Sequence, residues 1–358
     1  MSKEEVILLC GTLIFCYLLL FMIDYIFIGP VGIIYQPNLR ENWSRLEFNY
    51  EISINSFGIR DTELEISKEY NFVLGDSFVF GEGVNIENTI SKKLSKYCNK
   101  SFINLGESGG NLLDYLENYE IAKGSIKHGN ITIVVVYMGN DIMDYNTNNQ
   151  KIRMERLFDS IFLKNLRKRL HIITQKFGKF KNDTCDILPK NPLELKKEEY
   201  NNYLKIDKDV YRLATQNKPC HQLDINPYLV REAIRKPNYF QDYFNSSNIN
   251  KTENLIKNLN DNFSKNNGKV IFILIPEQVQ LNSHSLLYTK LNMNLSGIQK
   301  TKLVNKEFVD FCQLNNLNCL DLLPEFENTN ITLYWKYDPH LTPGGYDLVA
   351  KTIAKAIC

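Results

Sequence analysis

Two apolar runs, Ile131–Tyr137 (ITIVVVY) and Lys269–Ile275 (KVIFILI), constrain the fold more than any other feature of the chain. They are rich in β-branched residues and do not alternate with polar ones. A strand that is apolar on both faces must be covered on both faces, as happens at the centre of a parallel sheet. Shorter runs at Tyr70–Leu74, Ser101–Leu105 and Leu317–Leu322 share this character. Between them lie stretches with helical spacing at Ile86–Tyr97, Leu112–Ile126, Glu253–Phe263, Lys302–Cys312 and Gly345–Ile357. Strands alternating with helices predict an α/β fold around a parallel sheet.

The alternation does not fill all 358 residues. After a short tail, residues 1–5, no charged residue occurs from Val6 to Ile23, and apolar residues resume after Asp24 as far as Ile28. About 20 such residues span a bilayer as a helix, so residues 6–28 are expected to be an uncleaved membrane anchor. The rival, a cleaved signal peptide, would want a basic start and a small-x-small cleavage site, and Met-Ser-Lys-Glu-Glu followed by bulky residues supplies neither. Lys3 is offset by Glu4 and Glu5, so flanking charge does not set the orientation. Residues 29–65 read as a connector with some strand character. From about 145 to 250 the chain is polar and rich in Asn, Lys and Tyr, too long for a plain loop, and reads as an inserted, mainly helical cap. Within it Glu155–Phe180 has an apolar stripe with basic residues between, which suits a cap helix with a solvated face or a helix lying on an anionic membrane surface.

Lys+Arg is 42 and Asp+Glu is 41, a balance that argues against a protein built to hold nucleic acid. Eight cysteines include no C-x-x-C and no zinc-ligand spacing. Cys10 and Cys16 lie in the apolar segment, and the six others could pair in an oxidising compartment. Sequons such as those at Asn42, Asn99 and Asn294 follow from the abundance of Asn.

Four short stretches carry chemistry. Gly75-Asp76-Ser77 follows the first sheet strand, where a glycine permits a tight turn and a serine would stand at the C-terminal end of a parallel strand. Asn104-Leu105-Gly106-Glu107-Ser108-Gly109 ends the next strand, and backbone N–H groups at glycines can approach a developing oxyanion. Gly139-Asn140-Asp141 ends the central strand. Its Asn could donate into the same crevice, or either polar residue could simply cap a helix. Asp338-Pro339-His340 lies near the C-terminus. A serine needs a base to take its proton, and an acid close to a histidine can orient the ring. His128, His171, His221 and His284 lack such a setting and read as surface residues. Singly, each stretch has a plain structural explanation.

Taken in order, the four stretches resemble the blocks of the SGNH (GDSL-type) hydrolase superfamily, over roughly residues 70–140 and 265–358. Asn55-Ser56-Phe57-Gly58-Ile59-Arg60 is similar to a segment that precedes the first strand in membrane-tethered, polysaccharide-modifying members. Two departures stand out. Met138 occupies a place where many members have Gly, and only Pro339 separates Asp338 from His340, a spacing that resembles the branch acting on acetyl groups of exopolysaccharides. The resemblance implies a flavodoxin-like three-layer α/β/α domain over residues 66–358. It implies Ser77 as nucleophile, His340 as base and Asp338 as its orienting acid, with Ser77, Gly109 and Asn140 forming the oxyanion hole. No metal or organic cofactor is implied. The expected activity is removal of O-acyl groups, acetyl above all, from a carbohydrate on the extracytoplasmic side of a membrane. Transfer of the acyl group to a glycan hydroxyl, hydrolysis of a lipid ester, and a non-catalytic envelope scaffold or glycan-binding protein are the alternatives.

Overall fold

The apolar runs become strands of one parallel sheet. The computed structural model describes residues 32–141, 188–235, 246–265, 268–281 and 295–358, with a few positions near the N-terminus. In chain order the elements begin with an antiparallel hairpin, β1 (Arg40–Ser44) and β2 (Asn49–Ser53). There follow β3 (Tyr70–Gly75), α1 (Ser77–Phe80), α2 (Ile90–Cys98), β4 (Phe102–Gly106), α3 (Leu112–Ser125) and β5 (His128–Tyr137). Short helices α4 (Lys197–Tyr203), α5 (Lys208–Ala214) and α6 (Pro227–Arg235) occupy the described part of the expected insertion. The alternation then resumes with α7 (Ser246–Ser264), β6 (Lys269–Ile275), α8 (Leu295–Leu314), β7 (Cys319–Asp321), α9 (Leu323–Glu327) and α10 (Pro343–Ile357).

The sheet order is β4-β3-β5-β6-β7, and every pairing is parallel. This is the doubly wound order of flavodoxin-like folds, in which ligands sit beyond the carboxyl ends of the strands near the point where the order reverses. The alternating side chains of each strand explain the two covered faces. Phe72, Leu74, Val134, Val136, Phe272 and Leu274 pack under α3, α7 and α8. Val73, Ile133, Val135, Ile271 and Ile273 pack under α1, α2, α9 and α10. Disulfides fasten two of these layers at their edges, Cys98 to Cys358 between α2 and α10, and Cys312 to Cys319 between α8 and β7.

Most of the expected anchor, residues 6–28, and the Glu155–Phe180 stripe lie outside the described residues. Among the described residues no helix is long and apolar enough to cross a membrane.

The connector is where the structure adds most to the sequence. Arg60 is buried and donates from Nη1 to the Phe80 and Gly81 carbonyls, at 2.8 and 2.6 Å, and from Nη2 to the Glu51 and Val84 carbonyls, at 2.8 and 2.7 Å. Its guanidinium lies over the rings of Tyr50 and Phe80. The side chain therefore satisfies the carbonyls at the end of α1 and ties them to the hairpin. Next to it, the Asp61 carboxylate accepts from the Asn104 N–H at 3.1 Å and pairs with Lys92. Adjacent residues of the connector thus hold the end of α1 and strand β4 in place.

Replacing Arg60 by Met would leave several buried carbonyls without a donor. Arg60→Met is expected to lower unfolding free energy by about 3–5 kcal/mol, read from the urea midpoint. Arg60→Lys should recover little, because an ammonium cannot reach carbonyls on both sides of the fork.

Candidate active site

The glycine before the Ser77 turn acts differently from the sequence expectation. Gly75 is not in the left-handed region; a Cβ there would meet a Val79 side-chain carbon at 2.4 Å, and one on its β4 partner Gly106 would meet the Phe80 nitrogen at 2.1 Å. The glycines make room for α1 to lie against both strand ends. Asp76 caps that helix, its Oδ1 accepting from the Phe78 N–H at 2.9 Å. Ser77 is the first helical residue, so its own N–H has no intrahelical acceptor.

The last loop brings His340 across the sheet edge. His340 and Ser77 are separated by 263 positions, yet Nε2 lies 2.8 Å from the serine Oγ, and both residues are buried. On the other side of the ring, Nδ1 is hydrogen-bonded to Asp338 Oδ1, which also accepts from the His340 N–H at 3.0 Å. One intervening residue, Pro339, is thus enough for acid and imidazole to meet. Because a carboxylate only accepts, Nδ1 carries the proton, and Nε2 of the neutral ring is left to accept from the serine hydroxyl. The loop is held by an isolated bridge between Tyr334 and Leu341 and by a hydrogen bond from the Trp335 N–H to the His340 carbonyl, 3.1 Å. The Thr342 hydroxyl caps α10 immediately afterwards.

Of the expected oxyanion donors, Gly109 is exposed with φ +73°, and nothing lies within 4 Å of where its Cβ would be. The Asn140 amide donates to Asp76 Oδ2 at 3.0 Å, beside Ser77. An amide nitrogen has two hydrogens, so this bond leaves one for another acceptor. Asp141, by contrast, holds the loop itself, accepting from the Tyr137 N–H at 2.9 Å and from the Tyr115 hydroxyl.

Burial raises Asp76 to about 6, against the hydrogen bonds from Phe78 and Asn140 and the charge of His340. Burial opposes a charge on His340 too, but the carboxylates of Asp338 and Glu82 outweigh it and push the ring up to about 9. The partner Asp338 is held below the usual carboxylate range, because His340 outweighs its burial.

Two groups at the site had no signal in the sequence. Asn226, in the insertion just before α6, donates to Asp338 Oδ2 at 3.2 Å and is buried with it. Glu82 Oε2 lies 3.4 Å from His340 Nε2, and Glu82 Oε1 accepts from the Ser108 hydroxyl. Neither could be read from spacing, since Asn226 comes from a segment with no strand pattern and Glu82 falls in a loop after α1. Among the described residues no group of His, Cys, Asp and Glu is placed to hold a metal ion.

No family model matches the chain, and no curated protein sequence does. Among solved structures it is similar to a member of the lipolytic protein G-D-S-L family from Veillonella parvula DSM 2008, over 81% of this chain and 98% of that one, with 12% identity and a TM-score of 0.37. A GDSL-like lipase from Bacteroides thetaiotaomicron VPI-5482 is similar over 82% and 91%, with 12% identity and a TM-score of 0.38. The native M. smegmatis aryl esterase is similar over 81% and 98%, with 10% identity and a TM-score of 0.33. Likeness this distant bears on no residue of the site.

A base must be neutral to take a proton, and a ring raised to about 9 is protonated at neutral pH. For a soluble ester, kcat/KM is expected to climb with pH until about 9 rather than level off near 6.5, the ordinary imidazole value. The same shift stabilises the fold fully below 6.5, and this contribution is lost as pH rises through about 9. Replacing Asn226 by Ala removes a donor to a charged acid, so kcat should fall about tenfold with the fold intact by circular dichroism.

Proposed function

We propose that this chain is a serine esterase of SGNH type. The observation that carries the reading is the continuous line of hydrogen bonds from Ser77 through His340 to Asp338, buried at the carboxyl edge of a parallel sheet. Ser77 Oγ attacks an ester carbonyl while its proton passes to His340 Nε2. Asp338 steadies the imidazolium that forms. The N–H groups of Ser77 and Gly109 and the amide of Asn140 receive the developing oxyanion. Collapse of the tetrahedral intermediate breaks the bond to the leaving alcohol, which takes the proton from His340. Water then releases the acid from the acyl-enzyme.

The substrate in this reading is an O-acyl, above all acetyl, ester of an extracytoplasmic carbohydrate. Support comes from the Asp338-Pro339-His340 spacing and from Asn55–Arg60, both of which resemble polysaccharide-modifying members. In this reading the chain is tethered by residues 6–28, and residues 66–358, with the insertion at about 145–250 as a cap, lie outside the cytoplasm. The Cys98–Cys358 and Cys312–Cys319 disulfides favour an oxidising compartment. Transfer to a sugar hydroxyl is a second reading, favoured by the burial of Ser77 and His340, 7% and 6% exposed, because restricted water slows hydrolysis of an acyl-enzyme.

Ser77→Ala should reduce release of p-nitrophenol from its acetate ester by at least about a thousandfold, with the thermal unfolding transition preserved. Undiminished turnover in that variant would remove the proposal.

A further inference from the structure

Glu82 has no part in the steps above, yet its position is built. Its N–H donates to the Ser77 carbonyl at 3.1 Å, and its carbonyl accepts from the Tyr346 hydroxyl at 3.2 Å. The Ser108 hydroxyl holds Oε1, and Oε2 is left 3.4 Å from His340 Nε2. Ser108 is in turn fixed by its N–H, which donates to the Tyr35 hydroxyl at 2.7 Å. Nε2 therefore has both Ser77 Oγ, at 2.8 Å, and a carboxylate oxygen, at 3.4 Å, within reach.

In the second half of an acyl transfer, an oxygen nucleophile must stand within reach of Nε2 and of the acyl carbon on Ser77. An oxygen placed about 2.8 Å from both Nε2 and Oε2 can donate one hydrogen to each only if it carries two. Water does. A simple alcohol spends its single hydrogen on Nε2 and leaves Oε2 without one from the acceptor. An alcohol with a second hydroxyl on the adjacent carbon can attack with one and donate to Oε2 with the other.

We propose that Glu82 is the acceptor-positioning carboxylate of the site, and that it selects water or a vicinal diol over a mono-alcohol in the deacylation step. This rests on the serine ester chemistry proposed above. In the step itself, the acceptor oxygen forms a bond to the acyl carbon as its proton moves to His340 Nε2. The bond between that carbon and Ser77 Oγ then breaks, and the proton passes from Nε2 to Oγ. The serine hydroxyl is restored, and the product is a carboxylic acid from water or a new ester from an alcohol. Glu82 leaves the step unchanged.

The test is acceptor partitioning. The protein is acylated with p-nitrophenyl acetate in the presence of equal concentrations of ethane-1,2-diol and methanol, and the two acetate esters are quantified. Both acceptors need the same base, so their ratio does not follow the ionisation of His340. The wild type is expected to favour the diol by about tenfold, the worth of one hydrogen bond to a charged group. In Glu82→Leu the ratio should collapse towards about two, the statistical value for an acceptor with two equivalent hydroxyls. Glu82→Gln keeps an acceptor oxygen without the charge and should retain a smaller preference, about threefold, which separates hydrogen bonding from electrostatics. Ser108→Ala, which frees the carboxylate, should give an intermediate ratio and serves if the Leu variant does not fold. Release of p-nitrophenol, lost in Ser77→Ala, reports acylation in every sample. An unchanged ratio in Glu82→Leu, or no diol preference in the wild type, overturns the role of Glu82 while Ser77-dependent release persists. Absence of Ser77-dependent release from the wild type would instead remove the serine ester chemistry, and this inference with it.

Discussion

Parallel pairing places the carboxyl ends of β3, β4, β5 and β6 on one edge, and the site exists because of that constraint. Gly75 lies opposite Gly106, and Tyr137 lies opposite Ile275, so the loops carrying Ser77, Gly109 and Asn140 leave the sheet side by side. An antiparallel arrangement would send alternate loops to the opposite edge. The sheet supplies the meeting place, and the last loop before α10 then brings in His340.

Closeness alone does not hold a short four-residue helix against two strand ends. Three groups remote from Ser77 in sequence do that work together: Arg60 on the carbonyls at the end of α1, Asn104 donating to the Phe80 carbonyl at 3.3 Å, and Asp61 on the Asn104 N–H. The Ser77 turn is thereby attached to the connector as well as to the sheet. The His340 loop is anchored to the same hairpin, since Glu47 accepts from the N–H groups of Lys336 and Tyr337 at 2.8 and 2.6 Å. Arg45 donates to the Leu223 carbonyl at 3.2 Å, which joins the hairpin to the segment that supplies Asn226. Hairpin, insertion and last loop therefore meet around Asp338, and the residues before the first sheet strand contribute to the site without touching its reacting atoms.

The sequence made the sheet legible because strands buried on both faces leave unbroken apolar runs. Ile131–Tyr137 and Lys269–Ile275 stand inside or coincide with β5 and β6. The stretches carrying Ser77, Asp338 and His340 stood out because short motifs, one at a strand end and one in the last loop, bring together residue types suited to ester chemistry, and the structure places these three side chains in contact. What pattern could not show was anything set by close approach. Gly75 reads as a turn residue but makes room for Val79. Asn140 points its amide first to Asp76, a contact between loops 64 positions apart. Arg60 reads as an ordinary connector residue until its carbonyl partners are placed around it. Asn226 and Glu82 depend wholly on tertiary contacts, so neither periodicity nor spacing could mark them.

Reactivity of the Ser77 hydroxyl towards an electrophile is the most direct measure of whether the imidazole activates it. A fluorophosphonate probe should attach to the protein at one position, mapped by peptide mass spectrometry to Ser77, and His340→Ala should lose that labelling while remaining folded. Labelling that persists in the His340 variant, or a folded wild-type protein that takes up no probe at Ser77, would contradict the account.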